Sequence, residues 1–126
     1  MKRLWIGAAL LLVLLAAGVF STFAMGRFHH SLSQRLESAV SAALEEDWEQ
    51  AQEILHQCRS RWLRFRNCIA AGASHEPIEE IDSLYSQLDI YLTRRDSAGF
   101  ALCCTALLHR TEALGEAQSI NWWNLL

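Results

Sequence analysis

Leu4 to Phe20 form an unbroken apolar block, and Ser21 to Met25 extend it to 22 residues without a charge. A helix crossing about 30 Å of hydrocarbon needs roughly 20 such residues. Inside lipid, only a backbone that satisfies its own hydrogen bonds is stable. Beyond Arg27 the block gives way to spaced rows. Phe28, Leu32, Leu36, Val40 and Leu44 recur at every fourth position, with Ala39 and Ala43 beside them. That spacing predicts one apolar stripe of an amphipathic helix over 27–46. No proline precedes it and Gly26 alone marks the join, so this helix is expected to run straight on from the block.

The helical period then recurs three times. Asp47, with Gln50 three residues on, is a capping-box-like pair. It opens a second helix whose face is Trp48, Ala51, Ile54 or Leu55, Cys58, Trp62, Phe65 and Ile69, ending at Gly72. Pro77 fits a first turn, and Glu76, Glu79, Glu80 and Asp82 suit the positive end of a helix dipole. The third helix so marked buries Ile78, Ile81, Leu84, Tyr85, Leu88 and Leu92 and closes at Arg94 and Arg95. Asp96 or Ser97 caps a fourth, with Phe100, Cys103, Leu107, Thr111 and Leu114 on one side. No alternating strand pattern competes. The expected fold is all-α: an N-terminal transmembrane helix continuing into a small antiparallel three- or four-helix bundle. Residues 1–3 are read as a cytoplasmic N-terminus, 4–25 as the span and 26–126 as the helical domain.

Charge gives this arrangement a direction. The chain carries −3 overall, but Lys2 and Arg3 precede the block, so the remainder sets nine Arg against fourteen Asp and Glu. With Arg27 alone following closely, the positive-inside rule keeps the N-terminus in the cytoplasm and places the domain outside. A cleaved signal peptide is the rival reading, because Thr22-Phe23-Ala24 is a small-x-small pattern. The 17 residues from Leu4 to Phe20 exceed the usual signal core of about 7–15, and the helix does not break after them. The segment is therefore read as an uncleaved anchor in the cell membrane. An acidic remainder without basic blocks argues against a nucleic-acid partner, which would need a basic face. The expected partners are the lipid bilayer and another membrane protein or a second copy of this chain.

Several stretches are similar to a family of uncharacterised bacterial proteins with one N-terminal membrane helix and a short helical domain. They are Lys2-Arg3-Leu4-Trp5, Asp47-Trp48-x-x-Ala51, Trp62, His75-x-x-Ile78-x-x-Ile81-Asp82 and Asn121-Trp122-Trp123-Asn124-Leu125-Leu126. The resemblance spans nearly the whole chain. It implies a membrane-anchored helical domain of unknown function and brings no catalytic residues.

Candidate chemistry is sparse. Cys58 and Cys68 lie about 15 Å apart along one helix and cannot pair with each other. A bridge from Cys58 or Cys68 to Cys103 or Cys104 is open in an exported domain, as are buried free thiols. Cys103 and Cys104 are neighbours on a helix, so at most one is expected to face the core. No metal-ligand spacing, nucleophile elbow, phosphate loop or Glu-x-x-His pair occurs, so neither a cofactor nor an enzyme is expected. Arg59, Arg61, Arg64 and Arg66 form the one basic cluster. Counting helices outward and back brings that cluster and the tail, Trp122, Trp123, Leu125 and Leu126, toward the bilayer. Arginines near an anionic surface are attracted to it, and tryptophans favour the headgroup level, although the tail also suits the bundle groove. The sequence points to a membrane-anchored extracytoplasmic interaction or structural module, accessory to another membrane or envelope protein. The alternative is a binding module for a lipid or cell-envelope ligand held in the bundle groove.

Overall fold

The computed structural model describes the backbone of residues 1–69 and 75–125, and the side chains of these apart from 21, 25, 68, 69, 75 and 117–125. Four helices make up the chain: α1 Lys2–Leu44, α2 Trp48–Ile69, α3 His75–Arg94 and α4 Ser97–Leu125. There is no strand among the described residues. The expected continuity is found, since α1 is one helix of 43 residues, about 65 Å long. It is long and apolar enough over its first half to cross a membrane, and that stretch packs against nothing in the chain's core. Its second half, from Phe28 onward, is one wall of the bundle. We call the end of the bundle nearest the apolar block proximal and the opposite end distal. Around the bundle α1 packs on α2 and α4, while α3 packs on α4 and, more loosely, on α2.

The two distal connections are the same device. Glu46 (φ 63°) and Arg95 (φ 55°) take the left-handed conformation just past the ends of α1 and α3. In each case the next residue's amide reaches back five positions, Asp47 to the Ala42 carbonyl at 2.8 Å and Asp96 to the Tyr91 carbonyl at 3.0 Å. These closures satisfy carbonyls that a helix end would leave unpaired. Each aspartate then caps the following helix. Asp47 Oδ1 accepts from the Gln50 amide at 3.3 Å, and Asp96 Oδ1 accepts from the Gly99 amide at 3.0 Å, an arrangement that stabilises by about 1 kcal/mol. Of the two candidates for the fourth helix, Asp96 is therefore the cap. Gly99 is needed where it stands, because a Cβ there would lie 2.4 Å from the Tyr91 ring.

Packing corrects the sequence reading at two points. The i+4 row on α1 does not stay on one face: Leu32 and Leu36 are buried, Val40 is half-buried and Leu44 is 65% exposed. A four-residue step advances about 40° beyond a full turn, so the row drifts off the core, and Ala39, Ala42 and Ala43 take over the inward positions. Cys103 and Cys104 are also both buried. α4 lies between α1 and α3, which covers an arc wide enough for two adjacent residues. The rest of the core follows the expected faces, with Leu55 rather than Ile54 fully inside.

Candidate functional site

Side-chain pairs fix the heights of the helices against one another. Phe28 and Phe65 stack with ring centroids 4.8 Å apart. Arg61 donates to Ser31 Oγ at 3.0 Å and Arg35 to Gln57 Oε1 at 2.8 Å. α2 therefore runs back antiparallel to α1, with Arg64 and Arg66 level with Arg27, the first charge after the apolar block. Between α2 and α3, the Trp62 indole N–H donates to Asp82 Oδ1 at 2.7 Å. Arg66 pairs with the same carboxylate at 3.2 Å, and Arg59 pairs with Asp89. Arg110 on α4 pairs with Glu80 on α3 at 3.0 Å. The basic cluster is thus divided: Arg59 and Arg66 belong to the α2–α3 seam, Arg61 reaches Ser31 on α1 while staying exposed, and Arg64 is exposed. In the sequence Asp82 reads only as a first-turn acid; its role as the partner of a buried tryptophan has no local signal in the chain.

α4 has 29 residues against 20 in α3, a difference of about 14 Å. Their distal ends share one turn, so the extra length runs past the start of α3 on the proximal side. The helix includes Trp122, Trp123 and Leu125 in its backbone; their side chains, and Leu126 entirely, lie outside the described residues, as do the side chain of Cys68 and the Gly72 end of α2. At the join within α1, His29 Nδ1 is buried without a hydrogen-bond partner among the described residues.

The interior carries little reactive chemistry. Cys58, Cys103 and Cys104 are free and buried. No described Cα of α2 lies within 8 Å of α4, beyond the roughly 4.4–6.8 Å that a disulfide spans, so this packing does not accommodate a Cys58 bridge to either partner. Tyr85 donates to the Cys58 carbonyl at 3.4 Å, and burial raises the pKa of its hydroxyl. Thr111, a buried hydroxyl, is satisfied by the Leu107 carbonyl at 2.8 Å. Burial raises Cys58, against the pull of Arg35 and Arg61, raises Cys103, and pushes Cys104 from 9.0 up to about 12, with Cys103 and Cys58 adding to the shift. Such thiols are poor nucleophiles.

These raised thiols make stability depend on pH. A thiol whose pKa is raised by folding keeps its proton in the fold after the unfolded chain has lost its own. For Cys104 the stability this represents is complete below pH 9 and drains away between pH 9 and about 12. Each such group contributes a slope of up to about 1.4 kcal/mol per pH unit. Urea titrations in steps across that window should show a falling midpoint, and Cys104→Ala should flatten part of the fall. An unchanged pH profile in that variant would refute the assignment.

A shallow, open surface depression of about 700 Å³ lies along the apolar half of α1 beside Leu12, Leu15, Val19, Phe20 and Phe23, lined by that helix alone. Among the described residues, no group of three or more histidine, cysteine or acidic side chains is placed to hold a metal ion. Comparison with known proteins gives one result. The family of domains of unknown function called DUF4363 matches residues 19–125, and the chain belongs to that family. No curated protein matches, and neither does any solved structure.

Proposed function

We propose that this member of DUF4363 is a single-pass membrane protein, N-terminus in the cytoplasm, that presents a small helical interaction module rigidly at the outer membrane surface. One observation supports this above the others: anchor and bundle wall are the same uninterrupted helix, Lys2–Leu44. A free ligand-binding domain gains nothing from such coupling. A docking module does, because its partner then meets a surface at fixed height and tilt. On this reading the bundle is an accessory that binds another membrane protein or a second copy of itself, and it carries no catalytic site. The second reading, a lipid or envelope ligand held in a bundle groove, draws only on the apolar depression beside Leu12 and Phe20, which lies on α1 outside the bundle. If α1 spans the bilayer, however, that face lies in hydrocarbon and ordinary lipid chains fill it, so the interaction reading is preferred.

Topology tests the proposal directly. A C-terminal alkaline phosphatase fusion should be active and a C-terminal green fluorescent protein fusion dark, with the full chain remaining in the membrane after alkaline carbonate washing. A fluorescent fusion would reverse the orientation, and release by carbonate would remove the anchor.

A further inference from the structure

Charge on the bundle is sorted by face and by height at once. On the proximal part of α1 and α2, Arg27, Arg59, Arg61, Arg64 and Arg66 stand without an acid between Arg27 and Leu36 or between Ile54 and Ile69. At the same height on α3 and α4 the acids are Glu76, Glu79, Glu80, Asp82, Glu112 and Glu116, with Arg110 the one arginine against them. The distal half differs. There α1 and α2 carry Glu37, Glu45, Glu46, Glu49 and Glu53, while the α3/α4 side sets the exposed Arg94 and Arg95 beside Asp89, which pairs with Arg59, and Asp96, which caps α4.

Complementing the helix dipoles explains only half of this. Acids at the start and arginines at the end are what α2 and α3 should have, and they do. On α1 and α4 the rule fails. α1 ends among Glu37, Glu45 and Glu46 with no basic residue in its last turn, and α4 carries Glu112 and Glu116 in its C-terminal half with no basic residue in its last turn either. What α1 shares with α2, and α4 with α3, is a side of the bundle. Internal pairing uses up only part of the pattern: Arg59–Asp89, Arg66–Asp82 and Arg110–Glu80. Arg27, Arg61, Arg64, Glu76, Glu79, Glu112 and Glu116 are all exposed.

We propose that the protein associates laterally with itself, the α1/α2 face of one copy lying against the α3/α4 face of the next. The inference rests on the anchored reading above, because anchoring is what sets every copy at the same height and the same way up. In that setting the two faces are complementary proximally, arginine to carboxylate, and distally the α1/α2 carboxylates meet Arg94 and Arg95, whose neighbouring acids Asp89 and Asp96 are engaged within the chain. Back-to-back contact through two α1/α2 faces, or two α3/α4 faces, sets like charges together and is disfavoured. The contact is heterologous, so it propagates into a ring or a row rather than closing as a two-fold dimer. Individual exposed ion pairs are weak, which makes the association reversible, salt-sensitive and dependent on density in the membrane.

Co-expression of the full chain carrying two different affinity tags tests this, with carbonate-resistant membrane retention and the thermal midpoint recorded for each variant. Wild-type copies should co-purify at low salt, and about tenfold less so at 0.5 M salt. Arg61→Glu with Arg64→Glu, or Glu112→Lys with Glu116→Lys, should each lower self-capture at least fivefold. Mixing the two reversed variants should restore it. Failure of wild-type copies to co-purify, or failure of the mixture to rescue, overturns the proposal. So does unchanged self-capture in an Arg61→Glu, Arg64→Glu chain that has lost binding to phosphatidylglycerol vesicles, which would assign the arginines to lipid headgroups. Loss of membrane retention strikes at the anchor and is read separately from the pairing.

Discussion

Trp62→Ala is expected to unfold the bundle or bring it close to unfolding. The side chain is 1% exposed, its ring packs beside Phe65 with centroids 6.1 Å apart, and its indole N–H holds Asp82. Truncating a buried tryptophan costs about 3–5 kcal/mol, a large share of the roughly 5–15 kcal/mol that holds a domain together. A second loss comes with it. α2 and α3 form the loosest pair in the bundle, and the tethers described there are Trp62, Arg66 and Arg59, with Tyr85 adding its bond to the α2 backbone. Trp62→Phe separates the two effects, keeping most of the ring and losing the hydrogen bond, at an expected cost of about 1–2 kcal/mol. Urea unfolding of the detergent-solubilised chain, monitored by circular dichroism, measures both. An alanine variant within about 1 kcal/mol of wild type would mean that this seam does not hold the fold.

The second large effect uses one substitution at two places on one helix. Leu36 is 0% exposed, whereas Leu12 is 68% exposed. Leu36→Asp puts a carboxylate into an apolar core without a partner, at a cost of several kcal/mol, and the bundle should lose its cooperative transition. Leu12→Asp should leave that transition where it was. On the anchored reading, it instead disfavours membrane insertion by about 2.5–3.5 kcal/mol, seen as a shift from the carbonate-resistant to the soluble fraction. Identical behaviour of the two variants would show that α1 is not divided between two environments.

The change of pattern along α1 is plain in the sequence. Twenty-two uncharged residues stand ahead of a spaced apolar row, and Asp47, Asp96 and the faces of α3 and α4 obey local rules that the structure keeps. Other features resist. An i+4 row looks straight on paper and is helical in space, so the sequence places Leu44 inward and the structure turns it out. A single helix cannot show that it will be flanked on two sides, so nothing near Cys104 announces its burial. Trp62–Asp82 and the sorting of charge by face depend on which helices become neighbours and at what height, and neither quantity is written in any short window of residues.

The unbroken course of α1 also makes the protein a crankshaft. Every residue added to a helix turns the rest of it by about 100° and advances it about 1.5 Å. On the anchored reading, a one-residue insertion near Gly26 would therefore swing the whole bundle around the membrane normal and change its height very little. A four-residue insertion would bring the azimuth back to within about 40° while lifting the bundle about 6 Å. Spacing at that join, rather than any side chain on the bundle, sets the compass bearing from which the two charged faces look out.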